Sequence, residues 1–378
     1  MSISGFIQLI TLCLNLVHHL LPNGVDKLVK EWGQPGHVGA RLAHWPTDFT
    51  RDILPIPCHS HNDYWRNVPV FSAIQAGCTG IEADIWAFGD DLYVGHSITS
   101  LTRNRTLDNL YIKPLLEILD KMNVPPQVVE DPHPTLHGIF DTEPSQSMVF
   151  MIDFKTYGPT TWPAMYAALE PFRQKGYLTH VKNSTIVHRP LIVVGSGNTP
   201  FDHIISSEHN PHQDVFFDAP LDLMYLGADN ETSPPPAARD LRPRSPEEPL
   251  DTSEVHTEDE FDNPTDPDAY TPLNSYYASA SFSKAIGHLF RGEINENQLE
   301  LIRGQIRGAQ RRGLKARFWE TPFWPIGLRN HVWDELVKEG VDYLNVDDLK
   351  GATQRDWSNW RGWWSRGMKV HQVNDDGW

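Results

Sequence analysis

The sequence predicts a TIM-type (β/α)8 barrel, an α/β fold in which eight parallel strands alternate with helices. The chain of 378 residues is long enough for one such barrel. Eight short runs rich in β-branched and aromatic residues recur along it, with helix-like stretches between most of them. No glycine-rich phosphate loop follows the first run, which favours the closed barrel over an open doubly wound sheet.

Most of the predicted strands are flanked by Gly, Pro or Asp. The predicted strands are 54–58, 80–86, 148–154, 191–195, 215–218, 276–282, 316–320 and 343–346. A short additional β segment is predicted at 92–95. The predicted helices are 68–76, 108–122, 160–175, 298–312 and 330–339.

The barrel is predicted to occupy residues 51–352, with a lead-in at 1–50 and a tail at 353–378. Residues 229–270 hold thirteen Asp or Glu, three Arg and eight Pro, with almost no aliphatic spacing, so we expect a disordered acidic insertion. A regulatory segment that folds back onto the site is the alternative. The tail carries Trp357, Trp360, Trp363 and Trp364, which predict either a closing helix on the barrel or an interfacial patch for lipid or a partner.

The net charge of −17 argues against a nucleic-acid partner, because that contact requires a basic surface. Three cysteines cannot build a disulfide framework. Cys58 is expected at the end of the first strand and Cys78 just before the second, at opposite ends of the parallel sheet. A five-residue strand spans about 16 Å, which exceeds disulfide reach, so both are expected to be free thiols.

The apolar stretch 6–21 favours a signal or anchor segment, and hence the secretory pathway, with secretion or membrane anchoring. No Lys or Arg precedes it, it is short for a membrane span, and Gln8 and His18 interrupt it. An ordinary amphipathic helix, with a mitochondrial or cytoplasmic location, remains the alternative. Association with a membrane and the oligomeric state are left open.

The most informative stretch is 80–86, within the second predicted strand. Because strand side chains alternate in direction, Glu82 and Asp84 point to the same face. Two carboxylates on a buried face repel each other unless a cation lies between them. His61 precedes this strand and His96 follows it, and imidazoles exchange protons near neutral pH. The set predicts a metal centre that cleaves a phosphate ester with two histidines as acid and base.

The third predicted strand contributes Asp153 and Lys155, which share a face. Asp153 can complete an oxygen cage with Glu82, Asp84 and the amide oxygen of Asn62. Oxygen ligands without a thiolate suit Mg²⁺ or Ca²⁺ rather than zinc. We expect Lys155 to lie beside the phosphate of the substrate.

Four motifs together resemble the phospholipase-C-like (PLC-like) phosphodiesterase superfamily. They are Ser60-His-Asn-Asp-Tyr64, Glu82-x-Asp84-x-Trp86, Tyr93-x-x-His96 and Ile152-Asp-x-Lys155. The superfamily includes phosphoinositide phospholipases C, glycerophosphodiester phosphodiesterases and spider-venom phospholipases D. The nearest resemblance is to the fungal family named altered inheritance of mitochondria protein six. It implies a PLC-like phosphodiesterase barrel acting on a phosphodiester lipid or a glycerophosphodiester.

The resemblance also implies roles for the motif residues. His61 and His96 match the catalytic acid/base pair, and the matched metal ligands are Asn62, Glu82, Asp84 and Asp153. Lys155 matches a phosphate contact of the venom branch. The chain has His61-Asn-Asp63 where glycerophosphodiesterases have His-Arg-Gly, and it lacks an obvious inositol-binding set. Fold and reaction class are therefore better supported than the substrate.

Of three further residues, the first two keep two interpretations each. His59 lies two positions from His61 on the same face, as a competitor for the catalytic role or a substrate contact. Trp319, at the end of the seventh predicted strand, either packs the barrel or forms a wall of the substrate site. Asp347 follows the eighth strand and is expected to cap a loop.

Two other functions are compatible with part of the sequence. His59-Ser-His61 resembles the His-x-His of zinc amidohydrolases, but those need histidines after strands five and six, where this chain has Asp218 and Ser281. A catalytically inactive, membrane-associated binding protein fits the apolar N-terminal stretch, the acidic insertion and the tryptophan-rich tail. A scaffold has no need for buried charge, so the set of histidines and carboxylates favours the hydrolase.

Overall fold

The computed structural model describes residues 48–89, 91–124, 136–227 and 263–354. Within the unit that begins at Thr50, eight parallel strands close into a barrel, which confirms the predicted fold class. The strands in chain order are β1 (Ile56–Ser60), β2 (Cys78–Phe88), β3 (Asp91–Val94), β4 (Met148–Phe154), β5 (His180–Lys182), β6 (Thr185–Val187), β7 (Leu191–Gly197), β8 (Val215–Pro220), β9 (Ser275–Ser281), β10 (Lys315–Trp319) and β11 (Tyr343–Val346).

The barrel order is β1, β2, β4, β7, β8, β9, β10 and β11, and β11 pairs with β1 to close it. Strand β3 folds back antiparallel on β2 beyond the barrel, and β5 and β6 form a separate hairpin. The eight barrel strands are the eight predicted strands, with ends shifted by up to two residues. Since all eight run in the same direction, the loops that follow them open at one mouth.

The α-helices, again in chain order, are α1 (Phe71–Ala76), α2 (Lys113–Met122), α3 (Gly158–Ala168), α4 (Glu170–Gln174), α5 (Phe201–Ile205), α6 (Phe282–Ala285), α7 (Glu296–Arg311), α8 (Ile326–Lys338) and α9 (Leu349–Thr353). All five predicted helices are present. The one predicted at 108–122 begins with a π-helical turn before α2, and α1 is shorter than predicted because Pro69 and Val70 precede it in non-helical conformation.

Strand β4 shows how the sequence separates the two faces of the barrel wall. Phe150 and Ile152 point outward into the main core beneath the helices, while Val149 and Met151 point inward and fill the barrel interior. Each such fully buried side chain contributes about 1.5–3 kcal/mol. The next inward position towards the mouth is Asp153, so the interior changes from apolar to ionisable at this level.

The cysteine prediction is wrong: Cys58 and Cys78 form a disulfide, with their Cα atoms 4.8 Å apart. The prediction placed Cys58 at the end of a strand spanning 54–58, but β1 runs from Ile56 and Cys58 lies at its centre. Strand β2 begins two residues earlier than predicted, and its register places Cys78 opposite Ile56. The two cysteines are therefore near neighbours on adjacent strands.

Some predicted features fall wholly or partly outside the described residues. These are the apolar stretch at 6–21, the tryptophan-rich tail, and the acidic insertion up to residue 262. Residues 263–270 were included in the predicted disordered insertion, but they are structured. Pro267–Ala269 forms a 3-10 turn and Tyr270 is buried against Phe201 and Phe217. Across the described ranges, no helix combines the length and apolar character needed to cross a bilayer.

Candidate active site

Three carboxylates meet inside the barrel near its mouth, as the sequence predicts. Asp84 on β2 pairs in register with Asp153 on β4, and Glu82 lies two positions earlier on the same face as Asp84. One oxygen atom from each side chain lies within 4.8 Å of the others. Glu82 and Asp84 are buried and Asp153 is partly buried. Among the described residues, this is the one group of three or more Asp, Glu, His or Cys side chains arranged to hold a metal.

The two oxygens of Asp84 have different surroundings. Oδ2 lies 2.6 Å from the Tyr64 hydroxyl and 3.3 Å from the Lys155 ammonium. Oδ1 is buried and has no hydrogen-bond partner. A buried carboxylate oxygen without a partner is costly. Burial raises the pKa of Asp84, and the neighbouring charge of Asp153 adds to this effect.

This geometry fits a hard divalent cation. Mg²⁺ binds oxygen at about 2.1 Å and Ca²⁺ at 2.3–2.6 Å, so ligands around one ion are separated by up to roughly 4–5 Å. The carboxylate separation falls in this range, and the unpartnered Oδ1 of Asp84 is available as a ligand atom. Glu82, Asp84 and Asp153 are therefore suited to hold such an ion.

Asn62 is linked to the same group through Tyr64. The Tyr64 hydroxyl lies 2.6 Å from Asn62 Oδ1 and 2.6 Å from Asp84 Oδ2, and its single proton is donated to one of them at a time. Asn62 is in the left-handed conformation with φ of 46°, which Asn tolerates better than most residues. This turn directs the Asn62 amide towards the carboxylates.

Lys155 follows β4 and lies among the carboxylates. Its ammonium is 3.3 Å from Asp84 Oδ2 and 3.2 Å from Asp153 Oδ1. Burial lowers the pKa of Lys155, but the charges of Asp153 and Asp84 outweigh burial and raise it above its ordinary value. Lys155 is thus a fixed positive charge at the mouth, and the other oxygen of Asp153 accepts a hydrogen bond from Ser196 at 3.0 Å.

His61 lies immediately beyond β1 and faces the loop that follows β11. Its Nδ1 is 3.0 Å from Asp347 Oδ1. Burial lowers the pKa of His61, but the charges of Glu82 and Asp347 and the hydrogen bond to Asp347 raise it overall. The interpretation of Asp347 as a loop cap is wrong: Asp348 caps α9 by accepting a hydrogen bond from Gly351 N, and Asp347 instead orients the imidazole.

His96 lies on the loop after β3, with its side chain 44% exposed. Its Nδ1 is 3.6 Å from Asp84 Oδ2 and 3.4 Å from the Tyr64 hydroxyl. The Trp86 indole donates a hydrogen bond to Gly95 O at 2.6 Å, which ties this loop to β2. The two histidines therefore approach the mouth from different loops, and one face of His96 is open to solvent.

His59 lies below the carboxylates, fully buried, with Nε2 3.3 Å from Glu82 Oε2 and Nδ1 3.2 Å from the Tyr277 hydroxyl. Burial and the charge of Arg317 lower the pKa of His59 to about 4. Gly80 pairs with His59, and a Cβ at Gly80 would lie 2.4 Å from the His59 ring. The prediction of His59 as a substrate contact does not fit this enclosed position, where its two ring nitrogens contact Glu82 and Tyr277.

Arg317 extends from β10 into the barrel interior beneath Glu82. Its guanidinium is 3.7 Å from Glu82 Oε2 and 3.3 Å from Asp218 Oδ2, and it also donates to Ser279 and Asn345. Burial raises the pKa of Glu82, but the charges of His61 and Arg317 and the hydrogen bond to His59 outweigh burial and hold it below its ordinary range. Glu82 is therefore kept ionised.

Comparisons with known proteins identify the family of this chain. The AIM6-like phosphodiesterase domain family matches residues 47–218. The altered inheritance of mitochondria protein 6 homolog of Arthroderma benhamiae is 38% identical over 321 residues, covering 82% of this chain and 87% of the relative. This chain belongs to the altered inheritance of mitochondria protein 6 family.

Two yeast members of the family are also similar. The Kluyveromyces lactis protein is 31% identical over 341 residues, with 80% of this chain and 72% of the relative covered. The Saccharomyces cerevisiae S288c protein is 31% identical over 314 residues, with 79% and 70% covered. No solved structure matches the chain. Family membership assigns this barrel to the phosphodiesterase type.

In this family member, Trp319 ends β10 and is partly buried at the mouth, which leaves both of its predicted roles open. The zinc amidohydrolase interpretation finds no support in the described residues, because the group suited to a metal contains no histidine.

Sequence reasoning assigned no role to Tyr64 or Arg317. A signal for Tyr64 was available in its place within the Ser60–Tyr64 motif, but a single interior Arg carries no comparable signal.

Proposed function

We propose that this protein is a metal-dependent phosphoric diester hydrolase that uses His61 and His96 as its acid–base pair. The convergence of Glu82, Asp84 and Asp153, with one buried Asp84 oxygen lacking a partner, is the observation that carries the proposal. A scaffold gains nothing from such a group, since buried like charges destabilise the fold.

The two histidines divide the proton transfers. The Asp347 carboxylate accepts a hydrogen bond from His61 Nδ1 and so leaves Nε2 for the substrate. One imidazole removes a proton from the attacking hydroxyl or water, and the other donates a proton to the leaving oxygen. Asp347 also stabilises the positive charge that His61 carries after accepting a proton.

Glu82, Asp84 and Asp153, with Asn62 beside them, would hold Mg²⁺ or Ca²⁺, and the bound ion would neutralise charge on the phosphoryl oxygens. Lys155 lies among these ligands and supplies a second positive charge for the phosphate. A substrate with a hydroxyl next to its phosphate would give a cyclic product first. Otherwise, water or another hydroxyl attacks.

Exposed apolar side chains around the mouth favour a lipid substrate. Phe323 is 80% exposed and Trp324 67% exposed on the loop after β10, and Phe290 and Trp65 are also exposed on loops that follow strands. Large apolar groups clustered at one end of a soluble domain commonly contact lipid or a partner. We therefore favour a phospholipid or lysophospholipid over a free glycerophosphodiester, with the mouth facing the lipid surface.

The buried disulfide supports a secretory-pathway location, because such bonds form and persist in oxidising compartments. The names of the relatives refer to inheritance of mitochondria, which fits the mitochondrial alternative. Asn104-Arg-Thr106 and Asn183-Ser-Thr185 are N-glycosylation sequons with exposed asparagines. Cell fractionation and an endoglycosidase mobility shift that depends on these asparagines distinguish the two locations.

The test is hydrolysis of bis(p-nitrophenyl)phosphate by purified protein with Mg²⁺ or Ca²⁺. His61→Ala and His96→Ala should each lower kcat by about 10²–10⁴-fold, the usual contribution of general acid–base catalysis. His137→Ala, an exposed histidine on the connection before β4, should match the unaltered protein. An unimpaired His61/His96 double variant would refute the assignment. Metal binding without turnover of any diester, including lysophospholipids and phosphoinositides, would favour the inactive membrane-associated binding protein.

A further inference from the structure

Arg66 lies beside the mouth, just after the 3-10 turn Asp63–Trp65, and its guanidinium joins the loops that follow β1 and β11. Nη1 donates to the backbone carbonyl of Asp347 at 2.6 Å. Nη2 donates to the carbonyls of His61 at 2.8 Å and Val346 at 3.2 Å, and Nε donates to Ser60 Oγ at 3.1 Å. One side chain therefore contacts the backbone of both members of the His61–Asp347 pair.

The Arg66 hydrogen bonds lie where the pairing between β1 and β11 ends. The parallel pairing of β1 with β11 ends at Ser60 and Val346, and His61 N donates to Val346 O just beyond it. Asp347, the residue that follows β11, lies past the last paired position. There the Arg66 guanidinium supplies hydrogen bonds that the sheet no longer provides. It links the backbones of His61 and Asp347, whose side chains lie 3.0 Å apart.

We propose that Arg66 is a positioning residue for the His61–Asp347 pair. This inference rests on the proposed function, in which His61 transfers a proton. Arg66 acts only through the two backbones, and it fixes the distance and direction of the imidazole–carboxylate contact. A displacement of about 1 Å in such a contact lowers turnover by roughly 10²-fold.

The chemistry requires arginine at this position. A guanidinium presents five N–H donors in a rigid plane, so it can bind three carbonyls and a hydroxyl together. A lysine ammonium is a single nitrogen on a flexible stem and cannot reach these acceptors at once. Arg66→Lys therefore keeps the charge and removes the geometry, which makes it the informative variant.

The experiment is a double-mutant cycle on bis(p-nitrophenyl)phosphate hydrolysis with Arg66→Lys, Asp347→Asn and the double variant. We expect Arg66→Lys to lower kcat by about 10–100-fold, with the Mg²⁺ dissociation constant changed less than about twofold. The double variant should be no slower than Asp347→Asn alone. Arg307→Lys is the matched control, since Arg307 on α7 also donates to a backbone carbonyl, that of Leu226. Losses that multiply in the double variant, or weakened metal binding, would overturn the proposal.

A second readout does not depend on turnover. In the unaltered protein, ¹⁵N-histidine NMR should show the hydrogen-bonded Nδ1 proton of His61, and this signal should be lost in Arg66→Lys and in Asp347→Ala, which removes the acceptor. If the unaltered protein shows the signal but no hydrolysis, the proposed function fails while the positioning role is still tested. A signal retained in Arg66→Lys would overturn the positioning role. Arg66→Gln replaces the lysine variant if thermal unfolding shows that Arg66→Lys does not fold.

Discussion

Asp84 and Asp153 occupy paired positions on the neighbouring parallel strands β2 and β4, so two carboxylates lie side by side inside the barrel. Burial raises the pKa of Asp84, and the charge of Asp153 adds to this effect. Lys155 offsets part of the repulsion by contacting both carboxylates. A divalent cation would relieve the remainder, which makes metal binding and folding stability interdependent.

The first prediction follows from this interdependence. Mg²⁺ or Ca²⁺ at about 100 times its dissociation constant stabilises the folded state by about 2.7 kcal/mol. For a chain of this size, that corresponds to a rise in Tm of about 4 °C. Asp84→Asn and Asp153→Asn should abolish the rise, and Asp202→Asn, exposed on α5, should retain it. An equal rise in all four proteins, measured by calorimetry, would place the ion elsewhere.

The second prediction concerns the disulfide between Cys58 and Cys78. It closes a loop of about twenty residues, which stabilises a fold by about 3 kcal/mol. Replacing both cysteines with Ala should lower the free energy of unfolding by about that amount in urea titrations. Because both side chains are fully buried, dithiothreitol should reduce the bond only in denaturant. Iodoacetamide labelling of both cysteines after reduction without denaturant would contradict this placement.

The third prediction uses Asp218, which pairs with Arg317 and has a buried Oδ1 without a partner. Burial raises the pKa of Asp218 to about 6, against about 3.9 in an unfolded chain. Its contribution to stability is therefore complete below about pH 4 and is lost as the pH rises through about 6. Asp218→Asn does not lose stability in this way, because asparagine does not titrate.

Between pH 4 and pH 7, the variant should gain about 2 kcal/mol relative to the unaltered protein. Urea unfolding at pH 4, 5.5 and 7 measures the difference. Asp218→Asn also loses the pairing with Arg317, which changes the free energy of unfolding at every pH. The way the difference between the two proteins varies with pH still reports the titration of Asp218. A difference that stays constant from pH 4 to pH 7 would mean that Asp218 does not have the raised pKa.

The fourth prediction tests the apolar mouth. Phe290→Ser and Phe323→Ser should together weaken binding to phosphatidylcholine vesicles by about tenfold or more, because each phenyl ring contributes on the order of 1.5–3 kcal/mol when buried in lipid. Hydrolysis of bis(p-nitrophenyl)phosphate should not change. Leu54→Ser alters an exposed apolar residue before β1, at the opposite end of the barrel, and serves as the control. Equal vesicle binding by all variants in sedimentation assays would exclude this surface.

Local periodicity was sufficient to predict the barrel and the carboxylate group. Glu82 and Asp84 share a face because strand side chains alternate, and Asp153 joins them because parallel strands end at one mouth. These relationships depend on the strand, not on its exact ends. The cysteine pairing depends on exact ends and register, and a two-residue shift of β1 and β2 placed Cys58 beside Cys78.

The supporting contacts were beyond sequence reasoning for a different reason. The contacts in question are made by the side chains of Tyr64, Arg66 and Arg317, which extend to residues on other strands and loops. The periodicity of the sequence does not indicate such contacts. The role of Asp347 depends on whether its side chain turns back to its own loop or across to His61. Only the closure of β11 on β1, which brings the first and last strands together, decides that question.

Hydrolysis of bis(p-nitrophenyl)phosphate before and after EDTA tests the central claim most directly, with Asp84→Asn and Asp153→Asn measured alongside. We predict that the unaltered protein turns over the diester with Mg²⁺ or Ca²⁺, stops when EDTA is added and recovers when the ion is restored, while both variants stay inactive. Turnover that persists in EDTA, or is undiminished in either variant, would contradict a metal-dependent site at these carboxylates.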